Sequence, residues 1–129
     1  MARKYQRLPD SELDIMLALW SGKPDMRRSE IEEIVNKKHP LAPTTILSLL
    51  SRLEKKGVVK VTKAGKSNLY NPLITQEEYQ INESSSMLEK LYGNSLRDFF
   101  VSLYEGKKFN SAEIKELRTF IEEIDDYEE

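Results

Sequence analysis

The sequence predicts a mainly α-helical chain with one small β-hairpin, divided into two regions of opposite charge. Six segments carry apolar residues at helical spacing, and one β-branched stretch is followed, after a turn, by a second short strand. Residues 1–74 hold 14 Lys and Arg against 8 Asp and Glu, whereas residues 75–129 hold 6 against 14. We therefore predict one domain at 1–74 and another at 75–129, with a polyanionic partner for the first.

The composition of the 129 residues excludes several classes of function. The chain has no Cys and a single His, which rules out disulfides, thiolate sites and His-rich metal sites. No apolar run approaches the roughly 20 residues that cross a bilayer, and no apolar segment follows the basic N-terminus as in a signal peptide. No nucleophile with a base and no glycine-rich phosphate loop is present. We expect a cytoplasmic protein that is not an enzyme, needs no metal or cofactor and does not bind membranes.

Two helices are predicted before residue 40, at about 10–20 and 30–38. Four apolar side chains at helical spacing define the buried face of the first: Leu13, Met16, Leu17 and Trp20. The segment 21–25 contains Gly and Pro and breaks this helix. Ser29 and Glu32 have the spacing of a capping box and predict the start of the second helix. His39 follows it, before a proline, and is expected to be a surface loop residue.

The third helix is predicted over 43–56, with Pro43 in its first turn. Its buried stripe comprises four residues at i, i+3, i+4 and i+7: Ile46, Leu49, Leu50 and Leu53. Strands at 58–62 and 68–71 follow, joined by the turn 64–67. Lys60, Lys63 and Lys66 are expected to form a basic tip on this hairpin.

Three amphipathic helices are predicted after the hairpin. Thr75 and Glu78 have capping-box spacing and begin a helix that runs to about residue 92, where Gly93-Asn94 ends it. Two more helices follow, and their apolar stripes exceed what so short a segment can bury alone. We expect these residues to form a dimer interface: Leu88, Leu91, Leu96, Phe99, Phe100, Leu103, Leu117, Phe120, Ile121 and Ile124. Packing of the same residues onto the first domain is the alternative.

Three helices followed by a two-stranded hairpin within about 75 residues is the element order of a winged helix-turn-helix. In that architecture the third helix enters the major groove of DNA and the hairpin, or wing, lies on the backbone or in the minor groove. Hydroxyls can contact base edges or phosphates, and a leucine can contact a thymine methyl. Lysines beside the helix, Lys56 among them, are placed for phosphates. The predicted DNA-binding residues are Thr44, Thr45, Leu47, Ser48, Ser51, Arg52, Lys55, Lys63 and Lys66.

The order of these motifs resembles the penicillinase-repressor family (BlaI/MecI/CopY type) of bacterial transcriptional repressors. The resemblance lies in 8–20, 43–57 and the wing 63–73 with its Tyr-x-Pro exit, and it extends over about 8–124. It implies a homodimer that represses transcription from a palindromic operator, with the C-terminal helices as the dimer interface. It also implies a signalling protease as a partner that inactivates the repressor.

This chain departs from the family pattern at three places. Thr44 and Leu47 stand where several relatives carry a Lys and an Arg on the recognition helix, so the family's usual half-site is not predicted. Ser102-Leu103 stands where repressors of the β-lactam branch are cut at an Asn-Phe bond. The cysteines of the copper-responsive branch are absent. A winged-helix dimer that binds protein and not a specific DNA sequence is the alternative function.

Overall fold

The computed structural model describes residues 7–128 and, within them, the side chains up to Asp125. Its elements, in chain order, are α1 (Asp10–Ser21), α2 (Arg28–Val35), α3 (Pro43–Lys55), β1 (Val59–Ala64), β2 (Ser67–Pro72), α4 (Gln76–Tyr92), α5 (Leu96–Glu105) and α6 (Ser111–Glu128). The prediction of a mainly helical chain with one small hairpin is confirmed. By their internal contacts the residues divide into a first unit ending at Glu83 and a second beginning at Ser84.

The core of the first unit is formed by apolar side chains from α1, α2, α3 and the hairpin. The predicted stripe of α3 is fully buried and packs in this core. On α1 the prediction was partly wrong, because Leu17 is exposed while Ile15 and Leu19 are buried. Since α1 is covered on more than one side, the spacing of four apolar residues was too narrow a description of its buried surface. Trp20 packs at the edge of the core and donates its indole N–H to the carbonyl oxygen of Ile74 at 3.0 Å.

Local backbone chemistry explains how α3 passes into the wing. Pro43 occupies the first turn of α3, and Gly57 after its end has a φ of +78°, a conformation that glycine adopts without strain. The strands pair antiparallel from Val59 opposite Pro72 to Ala64 opposite Ser67, which leaves Gly65 and Lys66 as the turn. Gly65 has a φ of +64°, as the first position of a tight hairpin turn requires.

A short β-bridge, which the sequence analysis did not predict, ties the segment before α2 to the wing. The Met26 N–H donates to the carbonyl oxygen of Tyr70 at 3.3 Å, and the Tyr70 N–H donates to the Met26 carbonyl oxygen at 2.8 Å. Beside the bridge, the Asp25 N–H donates to Asn71 Oδ1 at 2.9 Å, and Asn71 Nδ2 donates to Asp25 Oδ1 at 2.8 Å. These four hydrogen bonds fix the start of α2 next to β2.

The second helix begins and ends earlier than the sequence predicted. The predicted Ser29–Glu32 capping box is wrong, because the Glu30 carboxylate accepts the backbone N–H of Arg27 at 2.9 Å and Glu32 pairs with Arg28. Arg27 has no side-chain acceptor, so only the glutamate half of a capping box forms at the start of α2. The β-bridge at Met26 fixes where the extended chain stops and the helix begins. The helix ends at Val35, and residues 36–38 form a turn.

The second unit comprises the end of α4 with α5 and α6. The capping box predicted at Thr75–Glu78 is present at the start of α4, in the first unit, and Asn110 with Glu113 forms another at the start of α6; both have reciprocal hydrogen bonds of 2.9 to 3.1 Å. Ser95 caps α5 by accepting the Asp98 N–H at 3.1 Å. A chain of ring contacts runs from Tyr92 through Phe99 and Phe100 to Phe109. Among the described residues of this unit, however, no side chain is fully buried.

Candidate nucleic-acid interface

One face of α3 is turned to solvent along its whole length. All seven residues predicted to contact DNA from this helix are exposed: Thr44, Thr45, Leu47, Ser48, Ser51, Arg52 and Lys55. The four-residue apolar stripe on the opposite side holds the helix in the core, so the hydroxyls and the two cations point outward by the helical period. The face combines hydroxyl groups, one apolar side chain and two positive charges at its C-terminal end.

The wing presents its cations at its far end. Lys63 pairs with Asn68, and both are exposed beyond the last core pair, Val61 with Tyr70. Lys66 lies in the two-residue turn. Lys60 was predicted at the tip and is instead near the base of β1, opposite Asn71. Because side chains alternate along a strand, Lys63 and Asn68 share the face that carries Val61 and Tyr70 nearer the core, whereas Lys60 is on the other face.

A recess joins the recognition helix to the wing and to the start of α2. Its volume is about 290 Å³, and it is lined by Arg27, Arg28, Ser29, Leu47, Lys66, Ser67, Asn68 and Tyr70. Of these, only Leu47 and Lys66 were predicted as DNA-binding residues. The adjacent arginines Arg27 and Arg28 were visible in the sequence as a possible basic site at the start of a helix. Only the bridge at Met26 shows that they lie beside the wing.

Ion pairs at the start of α2 determine which positively charged side chains there remain free to bind an anionic partner. The side chain of Arg28 is in an ion pair with Glu32, one helical turn further on. Glu30 accepts a hydrogen bond from Lys23 at 2.7 Å, and this contact, together with the Arg27 N–H, lowers the pKa of Glu30 below its usual value. The Arg27 guanidinium forms no salt bridge with any residue that the structure describes.

Lys56, which the sequence placed for phosphate contacts, forms an ion pair within the first unit. Its Nζ lies 2.6 Å from Oε1 of Glu12, whose side chain is only 4% exposed, and the Lys56 side chain is itself 27% exposed. This ion pair links α1 to the residue that follows α3. Lys56 therefore neutralises a buried carboxylate, and the neighbouring Lys55 carries the exposed charge at the end of α3.

The residues predicted as a dimer interface remain partly or wholly exposed in the single chain. Leu91, Leu96, Phe120, Ile121 and Ile124 are exposed. Leu88, Phe99, Phe100, Leu103 and Leu117 are half-buried. Between α5 and α6 lies an apolar groove of about 570 Å³ that includes Phe100, Tyr104, Phe109 and Leu117 in its lining. The second unit thus exposes many apolar side chains that its own helices do not cover.

Metal-binding clusters and membrane-spanning helices are both absent from the part of the chain that the structure describes. Within residues 7–128, no cluster of His, Cys, Asp and Glu has the geometry to hold a metal ion. No helix in the same range is long and apolar enough to span a membrane. His39 lies in the loop after α2, as predicted, and its Nδ1 is 3.2 Å from Oδ2 of Asp14 on α1.

Comparison with known proteins places this architecture in a family. The family model described as "Penicillinase repressor" matches residues 8–123. A penicillinase repressor of Staphylococcus aureus is 28% identical over 124 residues, which cover 96% of this chain and 98% of that protein. A penicillinase repressor of Bacillus licheniformis is 29% identical over 121 residues, which cover 94% of each chain.

A solved structure extends the likeness to the DNA-binding unit. The solution structure of the Bacillus licheniformis BlaI monomeric form, in complex with the blaP half-operator, matches this chain with a TM-score of 0.50 and 30% identity. The match covers 59% of this chain and 92% of the BlaI chain. The family model and these likenesses agree with the order of helices and wing described above. The chain belongs to the penicillinase repressor family.

Proposed function

We propose that this protein is a sequence-specific DNA-binding transcriptional repressor that acts in the cytoplasm as a homodimer on a palindromic operator. The single observation that carries the proposal is the exposed face of α3, with hydroxyls, Leu47 and terminal cations held outward by a fully buried stripe. Family membership supports repression in particular, because the matching family model describes a repressor and not an enzyme. The BlaI relative is described in complex with a half-operator, which supports DNA as the partner.

The division of labour follows from the chemistry of the side chains. Thr44, Thr45 and Ser48 lie on the N-terminal half of α3, where hydroxyls reach base edges or phosphates. Leu47 has no hydrogen-bonding group and contacts a thymine methyl or a sugar. Arg52 and Lys55 near the end of α3, with Lys63 and Lys66 of the wing, bind phosphates. Phosphate contacts supply affinity and orientation, while α3 supplies the sequence preference.

Dimerisation is supported by the second unit. Its described helices α5 and α6 bury no side chain fully, although α5 and α6 both carry apolar stripes. An exposed apolar surface of this kind is characteristic of an interface. A two-fold dimer also presents two copies of α3 to two half-sites, which explains why an operator would be a palindrome.

A signalling protease remains a proposed partner, supported by family membership alone. The aligned peptide bond, Ser102–Leu103, lies inside α5, with Ser102 exposed and Leu103 half-buried. A protease would need to open α5 locally to reach that bond, because a helical backbone does not fit the extended conformation that proteases bind. Its sequence also differs from an Asn-Phe bond, so the same protease specificity is not expected.

The test is a fluorescence anisotropy titration with DNA from upstream of the protein's own gene, and with the same DNA scrambled. The proposal predicts tighter binding to the native fragment. If a dimer neutralises about six to ten phosphates, affinity falls by roughly 10³ to 10⁵ between about 50 and 200 mM salt. Equal affinity for both fragments contradicts sequence-specific repression. No binding to either contradicts DNA binding altogether and favours a dimer that binds protein.

A further inference from the structure

The recess between α2, α3 and the wing has the lining of an anion site. None of its eight lining residues is acidic, and Arg27 and Lys66 contribute positive charge from two different elements. Neither cation has a salt bridge to a residue that the structure describes, in contrast with Arg28, whose charge is paired with Glu32. The charge of Arg27 also acts on the Glu30 carboxylate, which lies outside the lining, but no acidic group lies in the recess to offset the two cations.

The position of the recess is fixed by the β-bridge and not by flexible loops. Met26 pairs antiparallel with Tyr70, so the extended residue Arg27 and the start of α2 at Arg28 lie beside β2. Tyr70 is buried and lines the recess, and Leu47 of α3 forms another part of the lining. The elements α2, α3 and β2 therefore carry most of the lining, and Lys66 joins it from the turn of the wing.

Residues with polar groups other than the two cations also line the recess. The backbone N–H groups of Glu30 and Ile31 donate to the Arg27 carbonyl oxygen at 3.0 and 3.1 Å, whereas Arg28 and Ser29 precede the first intrahelical bonds. The Ser29 hydroxyl and the Asn68 amide add further donors. Such a set of donors matches the several oxygens of a phosphodiester better than the single edge of a base.

We propose that this recess binds one phosphodiester of the operator backbone, the one that lies between the base contacted by Leu47 and the nucleotides under the wing. This inference rests on the proposed function. Arg27 and Lys66 hold the phosphate charge, and Ser29 and Asn68 donate hydrogen bonds to its oxygens. A single phosphate thus ties the wing and α2 to the register of α3 on the DNA, and Arg27 joins the DNA-binding residues.

The test uses the full chain and the operator defined by footprinting, made as a series of duplexes with one neutral methylphosphonate each. For the unaltered protein, neutralising the recess phosphate weakens binding roughly tenfold, the order expected for one charge-assisted contact. Arg27→Ala and Lys66→Ala each weaken binding to the unmodified operator roughly tenfold per half-site, because both chains of the homodimer lose the contact. One position in each half-site should behave differently, and it should be the same position for Arg27→Ala and Lys66→Ala. There the methylphosphonate weakens binding of the two variants much less than it weakens binding of the unaltered protein.

Lys108→Ala is the control, because it removes an exposed positive charge that does not line the recess. It keeps the full methylphosphonate effect at that position, as does Arg27→Lys, which retains the charge. The recess proposal is wrong if the methylphosphonate, at every position tested, weakens binding of Arg27→Ala as much as it weakens binding of the unaltered protein. If the footprint persists in that case, the proposed function stands. If the protein protects no DNA, both are overturned. Circular dichroism melting shows that each variant is folded.

Discussion

Two leucines of similar exposure allow a matched test of base reading at the scale of single residues. Leu47 on α3 is 44% exposed and Leu17 on α1 is 40% exposed, but only Leu47 lies on the candidate interface. We expect Leu47→Ala to change the order of preference among operator variants, because a lost methyl contact discriminates between bases. Leu17→Ala should leave that order unchanged. Unchanged preference in the Leu47 variant, measured by competition binding, would show that this residue does not contact bases.

Lys66 allows a second test at this scale, on phosphate contacts. Lys66→Ala should weaken binding to all DNA sequences by a similar factor and reduce the slope of log affinity against log salt by about one for each half-site. Lys108→Ala, an exposed lysine in the loop before α6, provides the control and should leave the slope unchanged. Titrations at several salt concentrations measure both slopes. Equal slopes for the Lys66 variant and the unaltered protein would remove the turn of the wing from the interface.

The adjacent residues Lys55 and Lys56 show what sequence alone could establish about single residues. The helical period correctly placed the hydroxyls of α3 and Lys55 on the exposed side. It could not distinguish the role of Lys56, because the partner of that lysine, Glu12, lies 44 positions earlier in the chain. A pairing across two helices depends on how they pack, and no local pattern reports it.

At the scale of elements, the Glu12–Lys56 pair fixes the end of the recognition helix to α1. Lys56→Ala leaves the buried carboxylate of Glu12 without its partner and should lower the free energy of unfolding by about 3 kcal/mol. Lys55→Ala is the control, since Lys55 is exposed and unpaired among the described residues; its expected cost is about 0.5 kcal/mol or less. Urea titrations of both variants measure the difference. Equal stability of the two would mean that the ion pair contributes nothing to holding α3.

The limits of each helix and strand were predicted well where a local signal was unique. Pro43, Gly57 and the capping box at Thr75 each have one interpretation, and the structure agrees with all three. The predicted start of α2 was wrong because a contact with β2 ends the extended chain at Arg27, two residues before the serine that the local pattern favoured. The recess was not predicted for the same reason. Its lining residues come from three separate segments, at 27–29, 47 and 66–70, which only the folded chain brings together.

At the scale of the whole molecule, Phe120 offers the cleanest test of dimerisation. Its side chain is 57% exposed in the single chain, so folding of one chain does not depend on burying it. Phe120→Ala should raise the dimer dissociation constant roughly 30-fold, as removal of an aromatic interface anchor of about 2 kcal/mol does. Sedimentation equilibrium measures this constant, with Thr119→Ala as the control. A dissociation constant unaffected by the Phe120 change would place the interface elsewhere.

In the proposed complex two chains, joined through their second units, place two copies of α3 on the two halves of one operator. Native mass spectrometry of the protein with the footprinted operator, and with a duplex that keeps only one half, counts the chains bound. We expect two chains on the full operator, and weaker binding to the half-operator. A complex that saturates with one chain on the full operator, at protein concentrations where the free protein is dimeric, would contradict the proposed complex.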